Sequence, residues 1–173
     1  ASASHKDNLG LTLTTNVSAD QNTAVGYEAL KVNTVNANSA FGYGVLTANT
    51  TGNVNSGFGN LALTTNTTGA NNTAFGGMAL RNNLAGSDNS ALGTSAGLNV
   101  TGSQNVFIGS SAGFNTTSVS NNIFLGYKAG YYYGTLSNTP SLTGDGNVLI
   151  GTDVRPLADA QTNQIVISGY TGS

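Results

Sequence analysis

Three carboxylates, Asp145, Asp153 and Asp159, are the only acidic side chains that cluster along the chain. Paired carboxylates cleave glycosidic bonds, and several together hold calcium. Asp145 stands in Gly144-Asp-Gly-Asn147, however, a composition whose ordinary use is a plain turn. The sole histidine, His5, lies near the start of the sequence, so a Ser-His-Asp relay or a histidine zinc site lacks its central member. No glycine-rich stretch carries Gly-Lys-Ser/Thr or leads into a helical pattern. These residues predict no enzyme, no metal and no cofactor. What remains is contact chemistry. Tyr127, Lys128, Tyr131, Tyr132 and Tyr133 form the one aromatic cluster, and tyrosine rings stack on sugar faces while their hydroxyls bond the ring substituents. Covering a rung or filling an interface is the commoner use of such residues, and both readings stand.

The elements that position these residues follow from a repeat. The pattern Asn-x-apolar-apolar-Gly opens at Asn22, Asn38, Asn55, Asn72, Asn89, Asn105, Asn122 and Asn147, at intervals of 16, 17, 17, 17, 16, 17 and 25. A degenerate copy opens at Asn163. A fixed short period marks a solenoid, whose copies stack because none buries its apolar side alone. The long interval from Asn122 to Asn147 is an insertion at about 131–146, and solenoids carry insertions on the outside.

Adjacent apolar residues in a strand point to opposite faces. One column holds Ala24, Ala40, Gly57, Ala74, Ala91, Phe107, Phe124 and Leu149. The next holds Val25, Phe41, Phe58, Phe75, Leu92, Ile108, Leu125 and Ile150. A lone solenoid hides one such row inside itself, so a second dry row predicts a partner chain along the strand face. Ala29, Val45, Ala62, Ala79, Ala96, Ala112 and Ala129 recur after the Gly, followed by Leu in early repeats and Gly in later ones. This segment reads as a return strand, giving two strands and two turns per rung, a flattened roll rather than a three-sided helix. Nine such rungs at about 4.8 Å each span roughly 40 Å. The recurrent Asn suits either a stacked amide ladder or simply a turn.

Composition narrows the partners. Five basic and seven acidic residues in 173 leave a net charge of −2, with no basic field for nucleic acid. With no Cys, disulfides and thiolate metal sites are excluded. No stretch approaches the roughly 18 to 20 apolar residues of a membrane span, so no direct membrane insertion is expected. Residues 1–21 read as a lead-in with a degenerate first rung, and 22–173 as the repeat domain.

Together with the Gly-x-x-Ala-Leu or Gly-x-x-Ala-Gly that follows each motif, these repeats resemble the YadA-like head repeats of trimeric autotransporter adhesins. Asn22-Thr-Ala-Val-Gly-Tyr-Glu-Ala-Leu30, with turns such as Asn49-Thr-Thr-Gly52, is closer still to the version in bacteriophage tail fibres. Arg155-Pro-Leu-Ala-Asp-Ala-Gln-Thr-Asn-Gln-Ile-Val-Ile167 is similar to the segment that precedes a self-cleaving chaperone domain in such fibres. The resemblance implies an all-β, left-handed parallel β-roll of about nine 16–17-residue rungs, assembled as a homotrimer. It implies an extracellular fibre, on a virion tail or a bacterial surface, that displays or makes contacts to host-surface glycans or a protein receptor. The longer repeats and the aromatic columns depart from the adhesin pattern and leave its ligand open. Two other readings belong to different classes. A glycan-cleaving tailspike would place carboxylates between chains, and an ice-binding solenoid would need Thr-x-Thr rows, which Thr64-Thr-Asn-Thr-Thr68 does not sustain.

Overall fold

The computed structural model describes residues 6–8, 21–131, 144–155 and 162–168. They form an all-β parallel solenoid with no helix among the described residues. Each coil contributes one short strand. These are β1 (Lys6–Asn8), β2 (Asn22–Val25), β3 (Ser39–Phe41), β4 (Ser56–Phe58) and β5 (Thr73–Phe75), then β6 (Ser90–Leu92), β7 (Val106–Ile108), β8 (Ile123–Leu125), β9 (Val148–Ile150) and β10 (Ile165–Ile167). They pair in chain order in a single ten-stranded sheet. Register follows the repeat, with Ala40 beside Gly57 and Phe41 beside Phe58. At the last coil Val148 pairs with Ile165, which seats Gln164 where the repeat carries Asn. The degenerate copy therefore opens one residue later than the Asn163 expected from spacing alone.

Alternation sorts the two apolar columns. Ala24, Ala40, Gly57, Ala74, Ala91, Phe107, Phe124 and Leu149 point inward and are buried. Leu30, Leu46, Leu63 and Leu80 face them across the coil, also buried. The motif glycine turns the chain out of each strand. Gly59 sits at φ +127, and a Cβ on it would come within 2.7 Å of the Gly76 carbonyl in the next coil. No L-residue fits that close backbone stacking.

The return segment is not a strand, contrary to the two-strand rung expected from the small residue that recurs after each motif glycine. Leu61 and Leu63 both occupy the left-handed backbone region, at φ 59 and 51. The two residues reverse the bonding direction: Leu61 N–H donates to Tyr43 O in the preceding coil at 2.8 Å, and Leu63 N–H to Ala79 O in the following one at 3.1 Å. Each coil is thus a strand closed by a hydrogen-bonded turn run, and the described residues form one sheet rather than two. Leucine rarely adopts this conformation, so nothing in the residue types pointed to it.

Asparagine side chains join the coils. Asn55 Oδ1 accepts the Asn72 backbone N–H at 2.9 Å, and Asn72 Oδ1 accepts that of Asn89 at 3.0 Å. The series continues through Asn105 and Asn122 to Asn147, whose Oδ1 accepts from Gln164. Each amide nitrogen also donates to a turn carbonyl, as from Asn72 to Gly86 at 2.8 Å. A second ladder runs through Asn33, Asn49, Asn66 and Asn83, Nδ2 to Oδ1, at 2.6, 2.9 and 3.1 Å. The amides thus serve as both ladder and turn, the two uses that spacing left open. The second ladder passed unrecognised in the sequence because Asn49 and Asn66 stand inside Asn-Thr-Thr-Gly, which reads as turn chemistry alone, and Asn33 and Asn83 stand in segments that do not repeat it.

Candidate functional site: an apolar sheet face and a tyrosine–lysine corner

Pleating carries Val25, Phe41, Phe58, Phe75, Leu92, Ile108, Leu125 and Ile150 to the outer face of the sheet, outside the chain's own core. All eight are half-buried or exposed, Phe75 at 45% and Leu92 at 52%. Phe41, Phe58 and Phe75 stack nearly parallel, with centroids 4.7 and 4.2 Å apart. A shallow hollow of about 210 Å³ opens where this aromatic row gives way to Leu92 and Ile108. The flanking outer column changes along the fold. It is Thr23, Ser39, Ser56, Thr73 and Ser90 at first, then Val106, Ile123, Val148 and Ile165. One apolar row edged with hydroxyls becomes a band two residues wide.

The tyrosine candidates divide. Tyr127 and Lys128 follow Gly126 at the corner of a coil, and Tyr131 lies where that coil turns back. Lys128 Nζ lies 5.2 Å from the centroids of both the Tyr127 and the Tyr131 rings, a geometry in which the ring quadrupoles attract the ammonium. Tyr131 stacks on Phe114 of the preceding coil at 5.1 Å. Tyr127 is 51% exposed. Tyr132, Tyr133 and most of the insertion lie outside the described residues. Tyr27 and Tyr43 occupy the corner position of Tyr127 in two early coils, and they stack on each other at 5.4 Å. Sequence reasoning missed them, and their shared offset from the motif glycine is the signal that could have found them. Beside them Lys31 Nζ donates to Glu28 Oε1 at 2.6 Å, which raises the lysine pKa through that hydrogen bond and the carboxylate charge.

Asp145 and Asp153 make separate contacts within the scaffold. Asp145 Oδ1 accepts the Ser120 backbone N–H at 2.7 Å and ties a turn to the coil before it. Asp153 Oδ1 accepts from Arg155 at 3.2 Å. Asp159 and His5 lie outside the described residues. Among the described residues no three His, Cys, Asp or Glu side chains gather where a metal ion would sit. No family model matches the chain, and neither does any curated protein or solved structure.

Proposed function

We propose that this chain is a structural segment of an extracellular homotrimeric fibre, a phage tail fibre or a bacterial surface adhesin, that displays or contacts host-surface glycans. The observation that carries the reading is the unbroken apolar column on the outer sheet face, from Val25 to Ile150. Phe75, Leu92, Ile108 and Leu125 are 38–52% exposed in one chain and the other four half-buried, and a continuous stripe of that length on a protein with so few charges calls for cover. Three copies packed lengthwise, sheet against sheet about a common axis, cover it. A left-handed roll of about nine rungs is the form implied by the resemblance to adhesin and tail-fibre repeats. Coil-to-coil hydrogen bonds running along the stack supply stiffness, and threefold repetition raises avidity without new contacts. In this reading the protein is not an enzyme. The engagement of Asp145 and Asp153 in the scaffold supports that, and no observation favours the tailspike or ice-binding alternatives.

Sedimentation equilibrium tests the assembly. The expected mass is three times the 17.4 kDa of the chain. Phe75→Asp, which places a charge in the seam, reduces it to that of one chain. A single-chain mass for the unaltered protein overturns the proposal.

A further inference from the structure

We infer that neighbouring copies of the chain also meet edge to edge, the coil corners of one copy donating hydrogen bonds to the residues that precede the strands of the next. The inference deepens the homotrimer reading above and rests on it. All strands of the sheet run across the stack in one direction. When three such sheets face a common axis, rotation brings the end of each strand beside the start of the strand at the same height in the next copy. Residues two beyond a strand in one copy therefore stand opposite residues two before that strand in its neighbour. For β5, β6 and β7 the first set is Gly77, Thr94 and Ser110, and the second is Asn71, Asp88 and Gln104.

Donors fill one edge. The carbonyls of Gly77, Thr94 and Ser110 accept from Ser95, Ser111 and Lys128 in the following coil, which sets the three residues one above another. Their backbone N–H groups have no acceptor among the described residues, and neither do the Thr94 and Ser110 hydroxyls. Buried backbone donors are almost always paired, so this row belongs to an edge that stands open in a single chain. At Gly77 the space is clear, since a Cβ there would meet nothing nearer than Asn60 O at 3.9 Å. Acceptors fill the other edge. Asn71, Asp88 and Gln104 are exposed and share the left-handed backbone conformation, at φ 58, 60 and 62, so their side chains leave the stack alike. Their own N–H groups are spent on the preceding coil, that of Asp88 on Ala70 O at 3.0 Å and that of Gln104 on Ser87 O at 2.9 Å. What each still offers is a side-chain oxygen. Asn71 Nδ2 donates to Asp88 Oδ1 at 3.1 Å, which steers the row and leaves the second carboxylate oxygen for the neighbouring copy. Donor and acceptor rows share one period and one height, coil for coil. The apolar seam supplies area, and this edge supplies direction, because hydrogen bonds hold only in a narrow geometry.

Oxidation of a doubly substituted chain, Asp88→Cys with Thr94→Cys, reads the inference, because the chain has no cysteine of its own. Within one chain the two positions flank a whole strand, on the order of 15 Å apart, whereas a disulfide needs Cα atoms within ~7 Å. A covalent species of three chains is expected on a non-reducing denaturing gel. Gln104→Cys with Ser110→Cys repeats the test one coil on. Asp88→Cys with Asn60→Cys, displaced by two coils or about 10 Å, is expected to yield single chains. Single chains from both matched pairs overturn the inference, as does equal coupling in the displaced pair. Sedimentation of the unaltered protein then separates the two readings. A three-chain mass leaves the homotrimer standing without this edge, and a single-chain mass removes both.

Discussion

The coils from Asn22 to Asp88 and those from Asn105 to Gly151 fill the same narrow interior with bulk on opposite walls. In the first group the strand contributes Ala24, Ala40, Gly57 and Ala74, and the turn opposite supplies Leu30, Leu46, Leu63 and Leu80. In the second the strand carries Phe107 and Phe124, and the turn supplies Gly113 and Gly130. The coil between them is small on both walls, with Ala91 and Gly97. A Cβ on Gly97 would meet the Phe107 ring at 2.7 Å and Leu80 at 2.9 Å, so its neighbours have filled its space. What the repeat conserves is interior volume, not residue type.

The second asparagine ladder ends at the same boundary. Asn83 donates to Asn66 and to Gly86, but the next coil offers Val100 in place of Asn. Asn83 Oδ1 is left buried with no hydrogen-bond partner among the described residues. Beyond it Thr116 bonds only its own turn, to Gly113 O at 2.8 Å. Larger apolar groups inside the strand wall and a broader apolar band outside it accompany the loss of these amides.

The sharpest way to break this comparison is to exchange the walls. Phe107→Ala alone is expected to cost about 4 kcal/mol through the cavity it leaves. Adding Gly113→Leu, which restores the early-coil pairing in a late coil, recovers more than half of that in denaturant unfolding. Strictly additive losses would show that the walls do not compensate. Next in size is Asn66→Leu, in the second ladder. It strips the acceptor from Asn83 Nδ2 and the donor from Gly69 O, both buried, for a loss of about 3 kcal/mol. Thr116→Val, in the half without the second ladder, costs about 1 kcal/mol. Similar values for the two would erase the contrast between the halves.

Two substitutions sharpen it in the opposite direction. Val100→Asn supplies the missing donor to Asn83 Oδ1 and has the Gly102 carbonyl within its own turn, as Asn33 has that of Val35. A gain of about 1 kcal/mol is expected, and a loss would mean that the late coils cannot admit an amide. Smallest is Val54→Asn. Val54 is exposed at φ 57, a conformation β-branched residues resist, and the next coil has Asn71 at the same place with φ 58. A gain of about 0.5 kcal/mol appears as a slightly higher melting temperature.

Much of this architecture was legible because period-two alternation survives even in three-residue strands. The buried Ala and outward Phe columns fall where the spacing put them. The return segment was not legible, since Leu30, Leu46, Leu63 and Leu80 adopt a conformation that leucine seldom tolerates and that the stacked coils impose. The replacement of that leucine by Gly97, Gly113 and Gly130 at one repeat position was the available clue. At the tyrosine corner the residue types were visible from the sequence. The placing of Lys128 between two rings was not, because it depends on how the corner of one coil meets its turn.

The central claim is that the outer phenylalanine row is a seam between three copies. The chain has no cysteine, so one introduced at Phe75 reports on that row alone. Treated with a three-armed maleimide, Phe75→Cys is expected to yield a covalent species of three chains, and Thr68→Cys, on an exposed turn, is not. Single chains from Phe75→Cys, or equal coupling at both positions, would contradict the account.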